Sequence, residues 1–404
     1  MSLADKLLGR PLASSEEGEQ KIGVLAGVPI LGLDGLSSAA YGPEALLTIL
    51  IPLGLLGLNY IAPLTFIILG LLGILYLSYR QTIAAYPTGG GSYTVAKENL
   101  GVRFGLLAAA ALMLDYTLNV AVGISAGVGA LVSAVPRLHA HILPLCLGFL
   151  ALITLVNLRG VREAGLAFAL PTYLFVGSLG AVIVLGLLRG GLTGHPHPVV
   201  APSPIPRAAE GVTLWLLIRA FASGCTAMTG VEAVSNGVTA FAEPRVRNAQ
   251  RTLTAIVGIL ALLLAGIALL CHGYHIDVLP ENDPHYQSVL SQLAGAVVGR
   301  GAFYYVTIAA VIAVVVLSAN TSYAGFPRLC RLVALDDYLP HAFTLLGRRL
   351  VYTAGIVFLT GLAGLLLIAF RGITDKLIPL FAVGAFLAFT LSQAGMVQHW
   401  RRNA

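Results

Sequence analysis

The chain has 404 residues, is 57% hydrophobic and only 10% charged, and carries a formal net charge of +6; its mean hydropathy is +0.87. Soluble domains carry about 25% charged residues, so this chain lacks the polar surface of a soluble globular domain. The positive balance is a question of loop distribution in such a chain and points to no nucleic-acid partner.

Apolar runs of spanning length recur along the chain and predict an all-α polytopic membrane protein, not a β-barrel with its short alternating segments. Residues 1–21 read as a polar cytoplasmic tail, too polar for a signal peptide. Predicted helix 1 covers about 22–50 and is interrupted near Asp34–Ser37; helix 2 covers about 59–79. Residues 80–101 form a connector with three consecutive glycines, Gly89 to Gly91, and a small helical tail. That glycine run lacks the GK[ST] ending of a phosphate loop and reads as a tight connector beside an inner gate. Helices 3, 4 and 5 follow at about 103–133, 142–158 and 165–188. The Pro-, Gly- and His-rich segment 189–211 cannot span. Helix 6 covers about 212–238 with an interruption near Thr229–Ser235, and helices 7 to 10 fall at about 249–271, 301–327, 351–370 and 374–398. Residues 401–404 form the cytoplasmic end.

The basic residues set the orientation. With both termini cytoplasmic, seventeen of the 24 Lys and Arg fall on inside segments, among them Arg80, Lys97, Arg159, Arg245, Arg328 and Arg401. That bias predicts a multi-pass protein of the plasma membrane with this orientation. The four cysteines, Cys146, Cys225, Cys271 and Cys330, lie in or near apolar runs without CxxC spacing and read as packing residues. The histidines at 195, 197, 272, 275 and 285 lie in outer loops with no metal-ligand spacing, and neither a metal nor a cofactor is expected.

The interrupted helices fall first and sixth of ten. Residues 22–188 and 212–400 are therefore candidate halves, and five helices per half forces opposite entry into the membrane. Paired discontinuous helices in inverted halves mark the central site of a secondary transporter. In the first, Asp34 lies among Gly32, Gly35, Ser37 and Ser38, with Tyr41 seven residues on. In the second, Glu232 lies among Thr229, Gly230, Ser235 and Asn236. An unpaired carboxylate near the bilayer centre costs about 2.5–3.5 kcal/mol on insertion scales, so such residues face a bundle interior or a water-filled path. Desolvation favours a protonated carboxyl and a bound cation favours the charged one, so one acid such as Glu232 can trade a proton for a cation. Hydrogen-bonded helix caps are the alternative reading for both acids. Asp115, Tyr116 and Asn119 in helix 3 add a third polar group, with Asp115 and Asn119 on one face. Glu44 is expected as an outer vestibule acid or an interface residue, and Asp375 needs no special role.

Four blocks carry a family resemblance: LDGLSSAAYGPEA (33–45), YPTGGGSYTVAKENLG (86–101), GCTAMTGVEAVSNGVTAF (224–241) and IPLFAVGAFLAFTLSQAGMVQHW (378–400). The chain resembles the amino acid–polyamine–organocation superfamily, and within it the branch of high-affinity potassium importers read as potassium–proton symporters. The resemblance implies a ten-helix, five-plus-five inverted-repeat core with alternating access. It places Asp34 and Tyr41 at the helix-1 ion site and gate, Asp115 and Tyr116 near the pathway, and Thr229 with Glu232 as the helix-6 pair, Glu232 being the coupling carboxylate. Two departures stand out: Phe381 replaces a helix-10 tyrosine and supplies no hydroxyl, and Asn119 and Gly123 replace hydroxyl residues of helix 3. Full-length members continue into two further helices and a cytoplasmic domain associated with dimerisation, so the chain is expected to be a short homologue or a truncated product, and a homodimer stays an open expectation.

The reading is a proton-coupled symporter for potassium or another small cation in the lipid bilayer, with no enzymatic activity. An amino-acid–proton symporter of the same superfamily is the alternative, since free helix ends bind α-carboxylates and carbonyls bind α-ammonium groups. A non-transporting sensor or scaffold is the third reading, favoured by Phe381 and the early end of the chain. A membrane-embedded enzyme lacks a nucleophile–base or metal constellation within the helices.

Overall fold

The computed structural model describes residues 21–89, 91–159, 164–193, 196–205, 208–281, 283, 285–347 and 351–403. The predicted N-terminal tail up to residue 20, the middle glycine of the triplet, His195 and residues 160–163 between predicted helices 4 and 5 lie outside these residues. Helices dominate in chain order: α1 Val24–Leu31, α2 Leu33–Leu50, α3 Leu58–Ala85, α4 Ser92–Leu100, α5 Val102–Ala134, α6 Ile142–Leu158, α7 Ala164–Thr193, α8 Leu214–Gly224, α9 Ala233–Asn236, α10 Arg245–Gly273, α11 Val289–Val298, α12 Ala302–Leu335, α13 Thr353–Ala369 and α14 Thr374–Asn403. Among the described residues eight helical stretches, one of them the interrupted 214–236, are long and apolar enough to cross a membrane. The first of them, 33–85, holds two predicted helices joined by the 3-10 turn Ile51–Gly57, and α13 is a shorter apolar helix of 17 residues. The protein is a multi-pass, all-α membrane protein.

The centre of the bundle is α5, which packs most extensively against α12 and α14, while α2 lies against α8 and α12. Apolar side chains such as Leu25, Phe66, Leu262 and Leu365 are exposed on the outside, as a lipid-facing surface requires.

Both predicted interruptions are present, at shifted positions. The first lies at Gly32, two residues before the expected start at Asp34, and Asp34–Ser37 are helical. Tertiary packing selects the site: a Cβ on Gly32 would meet Ile256 Cδ1 of α10 at 2.4 Å and Val28 O at 2.6 Å. Pro29, one turn earlier, has no N–H for the helical ladder. The second break is longer. After α8 the chain makes a 3-10 turn, Cys225–Met228, then passes through an extended Thr229 and a left-handed Gly230 (φ +79°) before the single turn α9. The sixth predicted helix thus does not resume as a long segment; Val238–Ala240 is a further 3-10 turn.

The two broken elements are tied on one side of the bundle. Ile22 forms an isolated parallel bridge with Phe241: Ile22 N donates to Ala240 O at 2.9 Å, and Ala242 N donates to Ile22 O at 3.0 Å. On the same side α4 is pinned to the end of α12, where Lys97 Nζ lies 2.5 Å from Asp336 Oδ2 and the Tyr93 hydroxyl donates to the same oxygen. The Lys97 and Tyr93 hydrogen bonds hold the Asp336 carboxyl below its usual range.

A buried polar site between the broken helices

The bend at Gly32 places Asp34 in the first turn of α2, where the positive end of the helix dipole favours a negative group. Asp34 is 4% exposed. Its Oδ2 accepts from Asn119 Nδ2 of α5 at 3.0 Å, with Thr321 Oγ1 of α12 at 3.4 Å. Asn119 Nδ2 is also 2.8 Å from Ser322 Oγ. The neighbouring hydroxyls hold the backbone in place. Ser37 Oγ donates to Asp34 O at 2.8 Å, and Ser38 Oγ lies 2.6 Å from Gly35 O and 2.5 Å from Ala227 O, linking the two breaks.

Gly230 brings the second break against the first. A Cβ there would lie 2.5 Å from Gly35 N and 2.6 Å from Asp34 Cγ, so the left-handed conformation and the close approach both require glycine. The Tyr41 hydroxyl is 3.2 Å from Thr229 Oγ1, and its ring packs on Phe381 with centroids 6.3 Å apart. Phe381 is fully buried: it fills the space beside Tyr41 and adds no oxygen.

Toward Gly89 and Gly91 a second group collects. Asn236 Nδ2 donates to the Tyr116 hydroxyl at 3.3 Å, and a Cβ on Gly91 would sit 3.0 Å from Asn236 Oδ1. Asp115 and Glu232 are each 3% exposed and lie within electrostatic range of each other and of Asp34.

Several buried oxygens of this region have no hydrogen-bond partner: Asp34 Oδ1, Asp115 Oδ1, Asn119 Oδ1, Glu232 Oε2, Asn236 Oδ1 and the Tyr79 hydroxyl. Each such atom costs about 1–3 kcal/mol and calls for a guest or a proton. No Lys or Arg among the described residues forms an ion pair with Asp34, Asp115 or Glu232. The site is therefore rich in acceptors and poor in donors, a setting for protons and a cation. Among the described residues no group of three His, Cys, Asp or Glu could hold a metal ion.

Thr321, Ser322 and Tyr79 were not among the residues expected from the sequence. The run Ser318–Tyr323, SANTSY, was the available signal: polar groups in the middle of an apolar helix. Tyr79 carried none, because a tyrosine in an apolar helix reads as core.

About 15 Å of helical rise beyond Asp34, Glu44 is clasped from the opposite side of the bundle. Its Oε1 accepts from the Tyr286 hydroxyl at 2.5 Å and its Oε2 from Val289 N at 3.0 Å. With Glu281 and Asp375 it lines a small cavity of about 20 Å³ that reaches Tyr41. Glu281 Oε2 accepts from Thr374 N at 2.5 Å, and Asp375 Oδ1 accepts from Thr48 Oγ1 at 3.1 Å. Asp375, for which the sequence suggested no special role, thus belongs to this cavity. Burial, then the nearby Asp375 and Glu44, push the Glu281 carboxyl well above its usual range; burial pushes Asp277 up to about 6. A raised folded pKa gives stability that is complete at low pH and lost as pH rises through the folded value. The unfolding temperature is therefore expected to fall as pH rises through about 6, and Glu281→Gln to flatten that slope. A series of thermal melts from acid to neutral pH measures both.

The sequence profile of the amino acid permease family matches residues 36–404. The chain is 44% identical over 394 residues to the potassium transporter KimA of Bacillus subtilis (strain 168), covering 98% of this chain and 64% of that protein. It is 22% identical over 383 residues to the low-affinity putrescine importer PlaP of Escherichia coli (strain K12), covering 88% of this chain and 81% of the relative. Over 347 residues it is 24% identical to the vacuolar cationic amino acid transporter 2 of Arabidopsis thaliana, covering 81% and 52%. The chain thus spans less than two thirds of the length of KimA and about half that of the plant protein. With the broken-helix core and the profile match over most of its length, the chain belongs to the amino acid permease family of the amino acid–polyamine–organocation superfamily.

Proposed function

We propose that the chain is a secondary active transporter that imports potassium, or a small cation like it, together with a proton across the plasma membrane, with both termini cytoplasmic. One observation carries the reading: the buried acceptors Asp34 Oδ1, Asp115 Oδ1, Asn119 Oδ1 and Glu232 Oε2 have no donors. A monovalent cation is held by oxygens alone, whereas an amino acid also needs donors for its carboxylate. The likeness to a protein named as a potassium transporter supports the choice of ion.

In this reading Glu232 carries the coupling proton. It sits two residues after the left-handed Gly230, at the cap of the single turn α9, where the chain between α8 and α9 is not α-helical. A swing of this segment changes how well Glu232 is solvated, and so whether a proton or a cation is the better partner. Asp34, Tyr41, Asp115, Tyr116, Asn119 and Thr229 hold the ion or its gate, and Phe381 closes the Tyr41 side without coordinating.

An amino-acid or polyamine substrate is the second reading. The family profile and the relatives named for putrescine and cationic amino acids favour it.

Uptake of rubidium-86 into proteoliposomes, with and without an inward proton gradient, decides between them. Gradient-driven uptake is expected, and Glu232→Gln is expected to lose the gradient-driven part. Absence of rubidium uptake by folded protein, with uptake of a labelled cationic amino acid instead, would replace the first reading by the second.

A further inference from the structure

Tyr79 of α3 is 1% exposed, and its hydroxyl is buried without a hydrogen-bond partner. Its ring is well seated, edge-on to Phe389 of α14 with centroids 6.2 Å apart. Phenylalanine would make the same ring contacts without burying an unpaired hydroxyl, so packing alone does not account for a tyrosine here.

The surroundings show what the hydroxyl is available for. The charges of Glu232 and Asp115 lie within electrostatic range of it, and both of those side chains carry an unpartnered buried oxygen. On α14, Ser392 lies three residues beyond Phe389, one helical turn along the same face; its hydroxyl is fully buried and likewise unpartnered. Beside it the Ser78 hydroxyl donates to Gln393 Oε1, while Gln393 Nε2 is a further buried group without a partner. Unsatisfied groups from α3, α5, α14 and the segment before α9 thus occur on the side of Asp34 that leads to Gly89 and Gly91. On the opposite side Glu44 has a partner at each carboxylate oxygen.

We propose that Tyr79 is a binding residue of the transport site: its hydroxyl receives the hydrated monovalent cation, or the water travelling with it, as the guest passes Asp115 and Glu232 toward the α3–α14 seam. A phenol oxygen suits this step because it accepts from water, offers a lone pair to a cation and donates to a carboxylate. The inference rests on the cation reading above.

Tyr79→Phe tests it. In choline buffer without small cations the variant is expected to unfold at the parent's temperature or above, because no hydrogen bond is removed. In proteoliposomes its half-saturation for rubidium is expected to rise about tenfold, the scale of one hydrogen bond lost from a bound guest. The upward shift of the parent's unfolding temperature on adding rubidium is expected to shrink in the variant. A lower unfolding temperature in choline assigns Tyr79 a structural partner and overturns the proposal. A parent that responds to rubidium beside a variant with unchanged half-saturation and unchanged shift overturns the assignment of Tyr79 alone. A parent with neither uptake nor shift overturns the cation reading and this inference with it.

Discussion

Replacing Gly230 with alanine is expected to abolish transport and to lower stability by about 2–5 kcal/mol. Two independent effects add. The φ of +79° is left-handed, and a side chain there costs roughly 1–2 kcal/mol. The new methyl would also sit 2.5 Å from Gly35 N and 2.6 Å from Asp34 Cγ, and overpacking of this kind costs about 1–3 kcal/mol. Gly35 N is backbone held by the α2 helix, so it cannot swing aside, and relief comes only by separating the two breaks. That separation moves Thr229 from Tyr41 and Ala227 from Ser38, the contacts that join the broken helices. Thermal unfolding of the purified variant and rubidium uptake measure the two losses. Full uptake by Gly230→Ala would show that the two breaks need not touch during transport.

The second large effect is on binding and leaves the fold intact. Asp34→Asn keeps the side chain's shape and an acceptor for Asn119 Nδ2 and Thr321 Oγ1, 3.0 and 3.4 Å away in the parent. It removes a negative charge within electrostatic range of Glu232 and Asp115. Stability is therefore expected to be unchanged or slightly higher. Affinity for rubidium is expected to fall roughly tenfold to 150-fold, because a charge-assisted contact is worth about 1.5–3 kcal/mol. Rubidium titration followed by unfolding temperature separates the two. An unfolding temperature that collapses without ligand would make Asp34 a helix cap, and unchanged affinity would remove it from the ion site.

The hydroxyl positions of the two breaks explain why a substitution for shape differs from one for charge. Ser37 and Ser38 act on the backbone carbonyls of Asp34, Gly35 and Ala227 and hold the breaks in register. The Asp34 carboxyl is held from the other helices, by Asn119 and Thr321, and keeps one oxygen free. Gly230→Ala attacks the register; Asp34→Asn leaves it and alters the guest's surroundings.

The sequence by itself determined the class of protein and the residue types at its centre. Hydropathy and charge scarcity are properties of local composition, so the spanning segments follow from them directly. Acids flanked by glycine and small hydroxyl residues are equally local, and they marked both interrupted helices and singled out Asp34 and Glu232. The helical repeat put Asp115 and Asn119 on one face. What only the tertiary structure decided is which groups meet. Gly32 is the bend, and not the glycine and serines after Asp34, because Ile256 of α10 leaves no room for a side chain there. Asp34 is held by Asn119 and Thr321, residues 85 and 287 positions away. The partners of Glu44 lie 242 and 245 positions away, which turned an acid of open meaning into one side of a cavity. The unpaired hydroxyl of Tyr79 exists only in the packed bundle. The period of a helix fixes the face a residue occupies, but not the register of that face against a distant helix; that register is set by packing, where side-chain volumes and close backbone approaches leave few arrangements.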